Sequence, residues 1–180
     1  MAEIEVKVLG VDPGELRRKL FELGAERVKK GREVNQMFDF SDGRLFARGG
    51  YVRVRSFSGR CTLTIKERIG SGPFRESREH ETEVSDPGET RLFLEALGLG
   101  LRRVDEKDRE SYRLGDILYE IDEWPGYPPY LEVEAPTREA VEAGLAKLGY
   151  HLSDSTSKHF HELASEVYGK PLPPNLKFED

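Results

Sequence analysis

The sequence predicts an α+β protein dominated by antiparallel strands, with helices packed outside them. Three observations predict it. Much of the chain reads in period two, with charged residues alternating with apolar ones, which is the pattern of strands whose two faces differ. A helix-start signal, Asp-Pro-Gly-Glu, stands at Asp12-Pro13-Gly14-Glu15 and again at Asp86-Pro87-Gly88-Glu89. Hairpin signals, Ser58-Gly59 and Gly115-Asp116, separate consecutive strands. The 180 residues fit one domain, about 100–200 residues being usual. A chain of that length buries roughly 70% of its unfolded surface, so neither a disulfide nor a metal is needed to hold the core.

The first strand sets Glu3, Glu5 and Lys7 on one face and Ile4, Val6 and Val8 on the other. A helix follows. Asp12 is its N-cap, Pro13 suits the first helical position, and Leu16, Leu20 and Leu23 fall on one face. Gly24 ends it in the left-handed conformation. The pattern returns at Asp86, where Leu97-Gly98 repeats Leu23-Gly24, and more weakly at Pro136-Thr137-Arg138-Glu139, which opens a helix ending at Leu148-Gly149. Before each helix lies a strand with two glutamates at i and i+2: Glu3/Glu5, Glu81/Glu83 and Glu132/Glu134. The remaining strands are expected at Val34–Phe40, Gly50–Phe57, Arg60–Arg68, Phe74–Val84, Leu101–Leu114, Ile117–Glu123 and Tyr130–Ala135. Pro125, Pro128 and Pro129 mark a loop. A last helix is expected over Ser153–Tyr168, followed by a Pro-rich tail, residues 169–180, along the surface or disordered.

Composition excludes several classes. The net charge is −6, so general nucleic-acid binding is not expected, although 28 Lys and Arg leave room for a local basic site. No apolar run approaches the roughly 20 residues of a membrane span. Met1-Ala2-Glu3-Ile4-Glu5 is acidic and alternating, unlike a secretory signal. With one cysteine, Cys61, there is no internal disulfide and no multi-Cys zinc site, so a reducing, cytoplasmic setting is expected.

The charges point to the chemistry. Residues i and i+2 on a strand share a face, about 6.6–6.8 Å apart. Basic residues pair as the glutamates do: Arg53 with Arg55, Lys66 with Arg68, Lys107 with Arg109. A solvated sheet face ordinarily mixes signs along a strand. Here like charges pair within strands and the sign differs between strands, which is costly unless something of opposite sign lies between them. A divalent cation satisfies the carboxylate pairs and a polyanion satisfies the basic pairs. A triphosphate carrying Mg²⁺ or Mn²⁺ does both. If about eight antiparallel strands close, the interior holds side chains or one small ligand. The apolar faces then point outward under the helices.

These residues resemble the CYTH superfamily, the triphosphate tunnel metalloenzymes. Glu3-Ile4-Glu5-Val6-Lys7 is similar to that family's ExExK signature, Arg53-Val54-Arg55 to its RxR strand and Thr64-Ile65-Lys66 to its TxK strand. Glu81-Thr82-Glu83 resembles the next acidic strand and Lys107-Asp108-Arg109 a later basic pair. Asp122, Gly126 and Tyr130-Leu131-Glu132-Val133-Glu134 resemble its D…G…FxExE segment. The resemblance spans about residues 2 to 163 and implies a closed eight-stranded antiparallel tunnel over residues 1–168, with a charged interior. It implies substrate-binding roles for Lys7, Arg53, Arg55, Lys66, Lys107, Arg109 and Lys158, with Lys7, Arg55 and Lys66 at the reacting phosphate. The metal set it implies is Glu3, Glu5, Asp122, Glu132 and Glu134, together with Glu81 and Glu83.

Phosphoryl transfer asks a protein mainly for positioning and neutralisation of charge. Arg grips phosphate with a fork and Lys acts as a point charge. Three functions fit: a metal-dependent hydrolase of inorganic or organic triphosphates, a class IV adenylate cyclase, or a polyphosphate- or nucleotide-binding module without turnover. The first is expected, on tripolyphosphate, ATP or thiamine triphosphate, in a monomer or homodimer. Trp124, Tyr127 and Tyr130 either stack on a base or pack the Pro-rich loop; His159 and His161 read as surface residues, and Cys61 as a small strand residue. Gly70-Ser71-Gly72-Pro73 has no following GK[ST] and is read as a flexible loop at a tunnel mouth rather than a phosphate loop.

Overall fold

The computed structural model describes residues 2–69 and 74–179, without the side chains of residues 2, 3 and 75. The reading of Gly70-Ser71-Gly72-Pro73 therefore lies outside the described residues. The strands are β1 (Ala2–Leu9), β2 (Glu26–Phe40), β3 (Tyr51–Phe57), β4 (Arg60–Arg68), β5 (Arg75–Glu83), β6 (Leu99–Leu114), β7 (Ile117–Glu123), β8 (Tyr130–Ala135) and the short β9 (Ser155–Thr156). They run in the order β5-β4-β3-β2-β6-β7-β8-β1, and β1 also pairs with β5, so eight antiparallel strands close on themselves. Among the described residues β5 covers β1 from Ala2 to Glu5, and β9 pairs with Lys7 and Val8 just beyond. Closure gives every one of the eight strands a neighbour on each side for at least part of its length.

The three acidic strands each lead into a helix: β1 into α1 (Pro13–Glu22), β5 into α2 (Pro87–Ala96) and β8 into α3 (Arg138–Lys147). Asp12, Asp86 and Thr137 cap them, each accepting a backbone N–H of the first turn. Gly24, Gly98 and Gly149 follow with φ of +74°, +89° and +85°. A side chain is strained there, so glycine is the residue that lets each helix stop.

The helices cover the outer, apolar faces of the strands. Leu16 and Leu20 of α1 and Val141 and Leu145 of α3 pack with Val6, Val8, Tyr119, Ile121, Leu131 and Val133. Each fully buried leucine contributes roughly 1.5–3 kcal/mol by leaving water. Gly144 brings α3 close: a Cβ there would meet Ile117 and Val133 methyls at 3.1 Å, and the Tyr119 hydroxyl donates to the Gly144 carbonyl at 3.1 Å. Leu94 of α2 seats on Phe38, Val52 and Val54 on the other side. The core thus lies between barrel and helices, and the barrel interior is left to polar residues.

Three segments differ from the sequence reading. β2 begins at Glu26, not Val34. Its first half is charged on both faces, and cross-strand pairs such as Arg32 with Asp108, 2.7 Å apart, hold it to β6. The expected helix Ser153–Tyr168 is broken into a 3₁₀ turn (Leu152–Asp154), β9, and a short helix α4 (Phe160–Glu162) that runs into a π turn (Leu163–Val167). Ser155 donates to the Leu152 carbonyl and Thr156 accepts the Lys158 N–H, so local side-chain bonds replace helical ones. The tail is seated on the barrel, with Leu176 5% exposed.

Candidate active site

Alternation aims one row from every strand into the barrel. The rows line a cavity of about 1230 Å³. β1 contributes Glu5 and Lys7, β3 Arg53 and Arg55, β4 Lys66, β6 Lys107 and Arg109, and β8 Glu132 and Glu134. All of these were expected from the sequence. The same alternation adds Glu33 and Asn35 of β2, Glu79 of β5 and Glu120 of β7. Those four were missed, although each stands two residues from a polar or charged neighbour on its strand.

Register decides which charges meet. Lys7 Nζ lies 3.0 Å from Glu5 and 3.3 Å from Glu132. Lys66 Nζ is 3.7 Å from Glu5 and also pairs with Glu79. Arg109 donates two bonds of 2.6 Å to Asp122 and pairs with Glu120. Lys107 donates to Asp122 at 2.9 Å and lies 3.6 Å from Glu33. Arg55 is 2.9 Å from Glu81, which also accepts from the Thr64 hydroxyl at 2.7 Å and the Thr62 hydroxyl at 3.4 Å. Arg53 differs from the rest. Among the described residues its guanidinium makes no hydrogen bond or ion pair, and its Nε is buried without a partner. Leaving such a donor unmet is costly, so an anion in the cavity would find it ready.

One group of carboxylates stands apart by geometry. Glu5, Glu132 and Glu134 bring one oxygen each within 4.8 Å of one another. Oxygens on one octahedral Mg²⁺, at about 2.0–2.1 Å from the ion, lie roughly 3–4 Å apart, so the three fit a hard divalent cation with small side-chain movement. Three protein ligands leave positions for water and phosphate oxygens.

The remaining expected residues are placed otherwise. Asp122 is fully buried beneath Lys107 and Arg109 and is committed to them. Glu81 faces the cavity but is bound to Arg55 and Thr64. Glu83 lies at the far end of the barrel, its side chain 70% exposed and 3.5 Å from Arg60. Lys158 does not line the cavity; it pairs with Glu166 at the surface, which raises its pKa. The broken helix is the physical reason, since it turns Lys158 away from the barrel. Glu3 lies in β1, and its side chain is outside the described residues. Trp124 and Tyr127 pack rather than stand free. Trp124 stacks on Phe160 at 4.1 Å and donates to the Tyr130 hydroxyl, while Tyr127 meets Phe160 edge-on at 5.1 Å.

The network shifts its members unequally. Burial raises Glu33, but Lys107, Arg109 and Arg55 outweigh it and hold that carboxyl well below the ordinary range. Burial likewise raises Asp122, and Arg109 and Lys107 outweigh it and hold it low. For Glu120 burial prevails, helped by Glu132 and Asp122, and its pKa is raised. A carboxyl depressed in the fold contributes stability that is present above its unfolded pKa and lost as pH falls through the folded value. Glu120 acts in the opposite sense, but Glu110 outside the barrel is also depressed, by its bonds to Arg17, Lys30 and Tyr112, which outweigh burial. Thermal melts should therefore fall most steeply below about pH 4, the ordinary carboxylate range. A melting temperature that stays flat as the pH is lowered through that range would mean that these carboxyls keep ordinary values.

The sequence profile of the CYTH domain matches residues 1–160. A curated protein of Methanocaldococcus jannaschii, MJ0240, provisionally named an adenylate cyclase, is 27% identical over 134 residues, 74% of this chain and 77% of that one. Among solved structures, PH1012 from Pyrococcus horikoshii has a TM-score of 0.74 at 25% identity, covering 88% of this chain and 96% of its own. HpAC1 from Hippeastrum has a TM-score of 0.65 at 20% identity, covering 96% of this chain and 98% of its own.

Proposed function

Because the chain belongs to the CYTH domain family, we propose that its tunnel binds a triphosphate and hydrolyses it with a divalent cation, Mg²⁺ or Mn²⁺. The observation that carries this reading is one cavity holding both the Glu5, Glu132 and Glu134 cluster and the unpaired guanidinium of Arg53. A binding module for anions has no need of three converging carboxylates, and a cation store has no need of a buried, unmet arginine.

In this reading Glu5, Glu132 and Glu134 hold the cation. When bound, it neutralises phosphate charge and lowers the pKa of the attacking water. Arg53 and Arg55, neighbours on β3, grip phosphate oxygens through their forked donors. Lys7 and Lys66 flank Glu5 and add point charges beside the reacting phosphate. Asp122 acts through Lys107 and Arg109, holding both side chains toward the cavity. The closed wall limits water, so these charges act in a low dielectric, where each is worth more than in bulk.

The cyclase reading needs the ribose 3′-hydroxyl aligned on the α-phosphate, and misplacement by about 1 Å can cost on the order of 100-fold. Trp124 and Tyr127, the residues that would most readily seat a base, are engaged with Phe160. HpAC1, which carries the name of an adenylyl cyclase, is described as having a dominant triphosphatase activity. Incubation with tripolyphosphate and with ATP, each with Mg²⁺ or Mn²⁺, should release orthophosphate. Cyclic AMP formed faster than tripolyphosphate is hydrolysed would overturn the hydrolase reading in favour of the cyclase.

A further inference from the structure

Asn35 is an uncharged polar side chain in a charged wall, and it is 5% exposed. Its Nδ2 donates to Glu33 Oε1 at 2.9 Å. Its Oδ1 is buried and, among the described residues, accepts no hydrogen bond. Turning the amide over does not remove the mismatch. Burial opposes the charge of Glu33, but Lys107, Arg109 and Arg55 outweigh burial and keep that carboxyl ionised. An ionised carboxylate only accepts, so Asn35 must present its NH₂ to Glu33 and leave its oxygen to the cavity.

The cations on the strands beside Asn35 are engaged elsewhere. Asn35 lies opposite Arg55 on β3 and opposite Asp105 on β6. Arg55 is 2.9 Å from Glu81, and Lys107 donates to Asp122 at 2.9 Å. Arg103 is closed on Asp105 by bonds of 2.5 and 2.7 Å. Arg53 is the exception. It stands two residues along β3 from Arg55 and is therefore diagonal to Asn35, roughly 7–8 Å across the two strands. Neighbouring strands thus carry a buried donor without a partner, Arg53 Nε, and a buried acceptor without a partner, Asn35 Oδ1. Each is costly to leave unmet. One group that both accepts and donates satisfies the two.

A fully ionised phosphate cannot be that group, because its oxygens only accept and would repel Asn35 Oδ1. An interior phosphate of a polyphosphate has no second proton to offer. A terminal phosphate does, with a second pKa of about 6 in simple phosphate esters, and so does free orthophosphate. We propose that Asn35 Oδ1 accepts a hydrogen bond from a protonated oxygen of the terminal phosphate while Arg53 grips an ionised oxygen of the same phosphate. The inference rests on the triphosphatase reading of the tunnel. The span fits: an oxygen edge of one phosphate, with a hydrogen bond of about 2.8 Å at either end, covers a distance similar to that between the two side chains' positions. Asn35 is then a specificity-determining residue, held in one orientation by Glu33, that tells a hydrogen phosphate group from an anion of the same shape without a proton.

The probes are inorganic phosphate and sulfate at mildly alkaline pH, where both are tetrahedral dianions and only HPO₄²⁻ carries a proton. Each is titrated, with Mg²⁺ present, as an inhibitor of tripolyphosphate hydrolysis and, without turnover, by the rise it gives in melting temperature. The native chain should bind phosphate about tenfold or more tightly than sulfate, which leaves the buried acceptor unmet. Asn35→Ala should bring the two anions within about twofold, by weakening phosphate. Glu33 keeps Lys107 at 3.6 Å and Arg55 at 3.7 Å in that variant, and a melting curve shows that it is folded. Arg53→Ala should weaken both anions alike and keep their ratio, since either can use its donors. A native chain that binds sulfate as tightly as phosphate, or binds neither, overturns the proposal without recourse to a variant. So does a folded Asn35→Ala chain that keeps the native ratio, the result expected if Oδ1 holds only a resident water. Where tripolyphosphate is still hydrolysed, those outcomes leave the triphosphatase reading standing. A native chain that neither hydrolyses tripolyphosphate nor is stabilised by it overturns both.

Discussion

Glu134→Gln should lower kcat for tripolyphosphate by roughly 100- to 1000-fold with an unchanged melting curve, the scale of loss when one preorganised electrostatic contact is removed from an active site. Gln keeps the size and one oxygen of Glu but gives up the charge, so it tests charge and not shape. Glu134 is the cleaner of two variants because it is half-buried. Glu5 is 2% exposed and lies 3.0 Å from Lys7 and 3.7 Å from Lys66. Glu5→Gln should lose as much activity and some stability as well, since it leaves buried cations short of a partner. Removing the cation should reproduce both variants. In excess EDTA the native chain should stop turning over, and adding Mg²⁺ or Mn²⁺ should restore it. Full turnover in EDTA would remove the metal from the mechanism and leave the three converging carboxylates without the role given to them.

The second large effect concerns binding. Tripolyphosphate at about 100 times its Kd should stabilise the folded chain by about 2.7 kcal/mol, because it binds the folded state alone. For a chain of this size that is a rise of roughly 5–10 °C in Tm. Arg53→Ala should abolish most of that rise. It is the most informative cation to remove, because its guanidinium has no ion pair to lose among the described residues. Arg55→Ala and Lys66→Ala should also abolish the rise, but both strip a partner from carboxylates, Glu81 and Glu33 in one case and Glu5 and Glu79 in the other. Their unliganded chains should therefore melt lower than native, whereas that of Arg53→Ala should not. An undiminished rise in Arg53→Ala and Arg55→Ala together would place the anion outside the tunnel.

Much of this protein is legible in one dimension, for a physical reason. Period two is a property of each strand by itself, so a charged row opposite an apolar row marks which face goes in and which goes under a helix. That is how Glu5, Lys7, Arg53, Arg55, Lys66, Glu132 and Glu134 are found before any fold is known. The caps at Asp12, Asp86 and Thr137 and the glycines at 24, 98 and 149 are equally local, since each is set by the few residues around one helix end.

Pairing is not local, and there the tertiary structure decides. Which carboxylate meets which cation follows from register between strands: Asp122 is taken up by Lys107 and Arg109 because β7 lies against β6 in one alignment. Glu5 and Glu134 converge because they are directly opposite in β1 and β8. The charged half of β2, Glu26 to Glu33, has no apolar row to announce it and becomes strand only because β6 offers complementary charges. Lys158 leaves the cavity because a run of Ser and Thr bonds to its own backbone and gives β1 an extra partner. The C-terminal segment shows no periodicity, and its place in the tunnel wall depends on an open edge of β6 far earlier in the chain. The amino-acid sequence by itself thus determines a charged barrel with helices outside and most residues that face its interior. Only closure of the barrel, which brings strands distant in sequence into one register, determines which of those charges neutralise one another and which remain for a ligand.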